Sequence, residues 1–541
     1  GRKFFDSGNF SFASSNAHQT FNKDQDILIG FTSDNATPIG LYFEIMTRHI
    51  SIVGQSGTGK SVFNRSLLFQ HALKGGGFLH IDGKNDEGDF LNLYAAMKSI
   101  GRENDVYLID FDAPYDSNTY NPILHGDPDE VASRIVSLIP SSQNSPGSDH
   151  YRSEATVALT TLVAALQTAG LAYSMIDLSM LLMSDKALME LDMKLAEIDE
   201  YSEAIINYRT LLSKFTKKTK AKADPNNPDK KPQDLVKVDT TKLKEMFGGV
   251  GGRIFTLGTG NFGIVTNTYN PEVKLFDIIT NNKILWVKLP TLAKAEAAQS
   301  FGKILVSDLR TAVSWVLKLP QDKKPNPLFI ASMDEAGSYV NDNWGRLFEQ
   351  ARSARIVMMP AVQTHANYTN VSPELLSIVE GNTWNKVYFK VGDTDTAERI
   401  CKSLGKTKTV KYTVTQSETS NSTRQNSHII NSNVGNNSGQ NIGSQENEED
   451  IISTAQLMNL GIGECILTVG GAFIYHLKLP VIKSELKDIK FIPNRYTKDN
   501  LSLGINLKSD YKKYIDIQSL NTIDNADAPK PSDKLEVEEE E

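Results

Sequence analysis

Short runs of apolar residues closed by turn-formers alternate along this chain with longer stretches of helical spacing. Ile27-Leu28-Ile29 can pair as an edge strand. His49 to Val53 reads as a buried strand, followed by a Gly-rich turn and a helix from about Lys60 to Leu73. Further strands are expected at Gly77 to Ile81, Val106 to Ile109, Ile284 to Leu289, Leu328 to Met333, Ile356 to Ala361 and Val387 to Val391. Helical stretches such as Ala293 to Leu317 lie between the later strands, and a final hairpin is expected at Glu464 to Leu479. Strands alternating with helices predict an α/β fold with a mostly parallel central sheet flanked by helices.

Between about Gly126 and Val265 the pattern turns helical, which predicts an inserted all-α domain. Within it, the lysine-rich, Pro-bearing stretch Lys217 to Lys237 reads as an exposed excursion between helices. Residues 414–449, rich in Ser, Asn, Gln and Gly, read as a flexible loop. The expected division is therefore 1–125 for an N-terminal segment and the first part of the sheet domain, 126–265 for the insertion, 266–482 for the second part, and 483–541 for a polar, acidic tail ending in Glu538 to Glu541.

Composition narrows the class. At 541 residues there is room for several domains, and 40% hydrophobic residues suit a folded globular chain. A formal charge of −8 argues against a surface that is basic all round, though not against a locally basic channel. Cys401 and Cys465 are too few for a disulfide scaffold or a four-ligand zinc site. Residues 155–176 carry no charge, yet Thr156, Thr160, Thr161, Gln167 and Thr168 make a membrane span there a poor reading. The chain opens on Gly1 without a charged, then apolar, leader, so a segment upstream is expected.

Chemistry concentrates at two places. Gly54-Gln55-Ser56-Gly57-Thr58-Gly59-Lys60-Ser61 matches the phosphate-binding P-loop between a strand and a helix. Its glycines let backbone N–H groups turn inward around phosphates, Lys60 reaches the outer phosphates of ATP, and Ser61 supplies a hydroxyl to Mg²⁺. Far downstream, the strand from Leu328 ends in Asp334-Glu335. Asp334 is expected to hold the Mg²⁺ shell and Glu335 to orient and polarise the attacking water. Gln363, at the end of the following strand, can contact the γ-phosphate or that water, and Arg352 or Arg355 can serve as an arginine finger across a subunit boundary. Gly258 to Gly263 fits a dinucleotide-binding pattern but leads into Ile264 and Val265 rather than a helix start, so it is discounted. His49, His80 and the four tryptophans read as packing residues.

The order of motifs resembles the type IV secretion coupling proteins, ATPases related to the septal DNA translocases. It is carried by Arg48-His49, the P-loop, Asp82-Gly83-Lys84, Tyr120-Asn121-Pro122-Ile123, the Leu285 to Leu289 strand, Asp334-Glu335, the Arg352 to Gln363 segment, Asp395-Thr396-Ala397-Glu398 and Ile462-Gly463-Glu464-Cys465. The resemblance implies a RecA-like P-loop ATPase working as a hexameric ring, with the helical domain recognising cargo. It also implies an N-terminal anchor, absent from these residues, in the bacterial inner membrane, with the ATPase on the cytoplasmic face. Partners would be other secretion-system subunits, adaptors, and either protein effectors or relaxase-bound DNA, the acidic charge leaning toward protein cargo. Other readings are a septal-type double-stranded DNA pump, for which the polar tail lacks the usual DNA-reading module, and a nucleotide-binding docking platform with little turnover.

Overall fold

The computed structural model describes residue 22 and residues 26–84, 87–139, 146–199, 201–220, 234–340, 344–418, 438–480 and 489–495. In chain order the strands are β1 Asp26–Thr32, β2 Pro38–Tyr42, β3 Ile50–Val53, β4 Gly77–Asp82, β5 Val106–Asp110, β6 Thr216–Lys220, β7 Asp234–Val238 and β8 Ile284–Lys288. They continue as β9 Phe329–Met333, β10 Ile356–Val362, β11 Asn385–Tyr388, β12 Lys406–Glu418, β13 Ser438–Asp450, β14 Glu464–Val469 and β15 Phe473–Lys478.

An 11-stranded sheet runs in the order β2-β1-β15-β14-β11-β3-β10-β9-β4-β8-β5. From β11 to β5 every neighbour is parallel; from β2 to β11 every neighbour is antiparallel. The parallel strands are apolar throughout because both faces are covered, as in Ile356–Val362, where every residue is buried. One apolar cluster packs Phe63, Leu67 and Phe90 of the helices Lys60–Leu73 and Glu87–Ser99 against one face. The other packs the helix Ala295–Leu317 and the helical stretch that follows β5 against the opposite face.

Several expectations need correction. The edge position belongs to β2, which the sequence did not single out; β1 lies one strand in. Pro38 opens β2, where a missing N–H costs the ladder nothing. The helical region between β5 and β8 is not all helix, since β6 and β7 pair antiparallel at the two ends of the lysine-rich excursion, whose residues 221–233 lie outside the described ones. Gly260–Thr266 does form a helix. The stretch read as a flexible loop is in part an extended antiparallel ladder, β12 with β13, from Lys406↔Asp450 to Glu418↔Ser438. Residues 419–437 and the acidic end of the tail lie outside the described residues. Among those described, no helix is long and apolar enough to cross a membrane; in Pro146–Thr168, the run Ala155, Ala158, Leu159, Leu162 and Val163 is buried in the core instead.

Residues 489–495 dock at the β5 edge. Phe491 packs 5.1 Å from the Phe90 ring and 5.0 Å from that of Tyr94, and Arg495 pairs with Glu272 at 3.0 Å.

Candidate functional site

In an open parallel sheet, loops leaving the carboxyl ends of the strands collect on one side, where ligands bind. Here β3, β10, β9 and β4 stand side by side, so Gly54, Gln363, Asp334 and Asp82 are delivered to one rim. The P-loop strand and the Asp-Glu strand are therefore not neighbours; β10, carrying Gln363, separates them.

The loop Gly54–Ser61 is shaped by glycine where side chains are excluded. A Cβ on Gly54 would lie 2.4 Å from Phe389 Cβ, while Gly57 and Gly59 hold φ of +78° and +123°. A Cβ on Gly57 would meet nothing within 4 Å, so the loop opens on free space at its crown. Lys60, only 2% exposed, donates to the carbonyl of Gly54 and to that of Gln55 at 3.1 Å. Burial, then the neighbouring Lys84, lowers its affinity for its proton, while Asp334 and Glu335 oppose that shift. An ammonium so placed gains from an anion beside it.

Asp334 is held by its backbone, its N–H donating to Ile81 O at 3.0 Å and its carbonyl accepting Tyr339 OH at 2.5 Å. Its carboxylate accepts the Glu335 N–H at 3.1 Å and lies 3.7 Å from Lys84 Nζ. Lys84 Nζ also donates to Ser61 Oγ at 3.0 Å, so the P-loop hydroxyl and the Asp334 carboxylate share one ammonium between them. Glu335 sits at φ 53°, a left-handed conformation unusual for a glutamate and a mark of a constrained site. Gln363 Nε2 donates to Glu335 Oε1 at 2.9 Å, and Asn367 Oδ1 accepts the Gln363 N–H at 3.2 Å. The structure thus brings Lys60, Ser61, Asp334, Glu335 and Gln363 together.

It does not bring the arginines. Both precede β10 at its amino end, about 20 Å along a seven-residue strand from Gln363. Arg355, at φ 59°, donates to Pro325 O at 2.8 Å and to Asn326 Oδ1 at 3.3 Å. Arg352 is exposed in the last turn of the helix Trp344–Ser353. The histidines pack as expected: His49 bridges Phe348 O and the Met358 N–H, and His80 meets Ser332 Oγ at 2.9 Å with its ring 4.4 Å from that of Trp286. Residues that spacing missed are Asn367, Tyr339 and Phe389, each supporting a site residue from a different element. Lys84 stood in a recognised triplet but without a role.

Ser61 Oγ and the Asp334 carboxylate are hard oxygen donors suited to Mg²⁺, and the glycine loop with its lysine suits a polyphosphate. That fit rests on donors and space found in the fold itself.

Comparison with known proteins agrees with the motif order. Residues 329–461 match the family described as "TraM recognition site of TraD and TraG", and residues 27–239 match "Helicase HerA, central domain". The chain is 26% identical over 421 residues, 69% of its length, to the type 4 coupling protein DotL of Legionella pneumophila, and covers 52% of that protein. It thus spans about half the length of that relative. The plasmid coupling protein TrwB in complex with ADP and Mg²⁺ superposes with a TM-score of 0.56 at 15% identity, over 88% of this chain and 94% of that one. TrwB with a non-hydrolysable ATP analogue gives 0.54 at 16% identity, over 88% and 94%. The fold is the RecA-like P-loop α/β fold, and the resemblance to type IV secretion coupling proteins is borne out: the chain is similar to them over most of its described length.

Proposed function

We propose that this chain is the ATPase of a type IV secretion coupling protein, hydrolysing ATP to recruit substrates, protein effectors or a relaxase-bound DNA strand, and to deliver them to the secretion channel. The observation that carries the reading is the meeting of Lys60, Ser61, Asp334, Glu335 and Gln363 at one rim of one sheet, in a chain similar to a type 4 coupling protein. Loop amides from Gln55 to Ser61 would cradle the phosphates and Lys60 would neutralise their outer charge. Ser61 and Asp334 would hold Mg²⁺, which would supply charge neutralisation across the phosphates. Glu335, held by Gln363, would accept a hydrogen bond from the attacking water and draw its proton away, while the Gln363 carboxamide reports the presence of the outer phosphate to β10.

The placement of Arg352 supports a ring, hexameric in the resemblance, because an arginine at the amino end of β10 can approach phosphates only in a neighbouring subunit. We assign cargo recognition to the helical region 126–265 and place the ring at the cytoplasmic face of the bacterial inner membrane, following the resemblance. The similarity to DotL favours this reading over a septal DNA pump or a docking platform without turnover.

Lys60→Ala and Glu335→Gln test the site. Lys60→Ala should weaken Mg-ATP binding at least about tenfold, one displaced charge in a partly buried site being worth more than about 1.4 kcal/mol. Glu335→Gln should bind Mg-ATP nearly as the parent does while turnover falls about 10² to 10⁴-fold. A parent protein that assembles as a ring and turns over no ATP refutes the reading.

A further inference from the structure

Ser61 Oγ and Asp334 Oδ2 are the two oxygens assigned above to the metal, and an ammonium already lies between them. Lys84 Nζ is 3.0 Å from the first and 3.7 Å from the second. The Asp334 side chain is 5% exposed and that of Lys84 33%. A carboxylate so buried is costly without a cation beside it, and the lysine supplies one at the end of a flexible stem.

Divalent magnesium binds hard oxygens at about 2.1 Å. A cation that close to Ser61 Oγ and in the shell of Asp334 would overlap the ammonium and be repelled by it, so the two compete for one place. The Lys84 backbone is not free to resolve that competition. Asp82 Oδ1 accepts the Lys84 N–H at 2.9 Å, Thr291 Oγ1 donates to the Gly83 carbonyl at 2.7 Å, and a Cβ on Gly83 would come within 3.1 Å of the Glu335 side chain. The triplet Asp82-Gly83-Lys84 is thus a rigid mount for a mobile charge.

We propose that Lys84 is the resident counter-cation of the metal site, exchanging with Mg²⁺ at Ser61 and Asp334. The inference rests on the nucleotide site proposed above. Its consequence is that the chain holds a nucleotide's phosphates without metal better than Asp334 alone would allow, because the lysine screens that carboxylate. The Asp-Gly-Lys triplet, otherwise without a role, acquires one: aspartate and glycine fix the mount and lysine carries the charge.

The test is fluorescence anisotropy with N-methylanthraniloyl-ADP on the full chain, in excess Mg²⁺ and in excess EDTA, for the parent, Lys84→Met, Lys84→Gln and Lys84→Arg. Both neutral variants should raise the ratio of the EDTA dissociation constant to the Mg²⁺ one about tenfold, as expected for one lost charge at close range, chiefly through weaker binding in EDTA. Lys84→Arg should keep the ratio within about threefold of the parent. If Lys84→Met is poorly folded, Lys84→Gln decides. An unchanged ratio in the neutral variants, or equal weakening in both conditions, overturns the exchange while leaving the nucleotide site standing. A parent that binds no nucleotide in Mg²⁺ overturns the site itself, and this inference with it.

Discussion

Two arginines three residues apart, equal candidates in the sequence, are separated by their hydrogen bonds. Arg355 is spent within its own chain, tying Pro325 and Asn326 to the start of β10, whereas Arg352 stands exposed on its helix. Arg352→Ala should therefore lower ATP turnover of the assembled ring by about 10³-fold, the low end for an arginine finger, with nucleotide affinity nearly unchanged. Arg355→Ala should instead lower the urea midpoint and leave turnover per folded ring close to that of the parent. Steady-state turnover and denaturant titration of the two variants check this, and equal loss of binding and turnover in Arg352→Ala would rule the finger out. Lys60, Ser61 and Asp334 were legible in the sequence because each lies in a motif whose spacing encodes its chemistry. Lys84 was not, because what matters about it is a contact to Ser61 and Asp334 across elements far apart in sequence, nor were Asn367 and Tyr339, whose bonds to Gln363 and Asp334, four and five residues away, arise from local turns that no motif marks.

At the scale of elements, the parallel strands could be read because burial on both faces leaves continuous apolar runs, as in β9 and β10. β2 was missed because Pro38 and Gly40 read as turn residues, and only an edge strand tolerates them. The β12–β13 ladder was missed for a different reason: Val410, Tyr412 and Val414 alternate within β12, but the Ser, Asn, Gln and Gly of β13 give no matching apolar pattern to announce the partner strand. Tyr120-Asn121-Pro122-Ile123, seen in the sequence only as a resemblance, is the clasp where the helical region joins the sheet domain. Asn121 Nδ2 donates to Tyr173 O and Thr268 O at 2.9 and 2.8 Å, and the Tyr120 hydroxyl donates to Asp308 at 2.6 Å. Arg134, 1% exposed, pairs with the same Asp308 at 3.0 Å and donates to Pro122 O at 2.6 Å. Burial pushes the Asp308 carboxyl up, and Arg134 is the first of the groups that pull it back. Arg134→Leu leaves that carboxylate buried without its cation and should cost about 3 to 5 kcal/mol. Urea unfolding reads the loss; a variant as stable as the parent would show that the clasp contributes nothing.

Across the whole molecule the sheet separates two apolar cores, and each holds a buried, neutral histidine. His71, with its Nε2 2.8 Å from Leu328 O, and His49 both have their pKa lowered from 6.5 to about 4, burial being the largest cause. Between those values the unfolded chain binds more protons than the folded one, so stability is complete above about pH 6.5 and falls as pH drops toward 4. The urea midpoint should therefore decline from pH 7.5 through 6.0 to 5.0, and a flat profile over that range would contradict the assignment. The docking of Phe491 and Arg495 at the far edge of the sheet could not be seen in the sequence, since the short group Ile489, Phe491 and Ile492, closed by Pro493, is too brief to carry a periodic signal. What unites the molecule is one rim, where loops from β3, β4, β9 and β10 meet. The most direct test is a structure of the chain with Mn²⁺ and a non-hydrolysable ATP analogue, the metal located by its anomalous scattering. The account predicts manganese between Ser61 and Asp334 with the outer phosphates against Lys60 and Glu335; metal or phosphates bound away from that rim would contradict it.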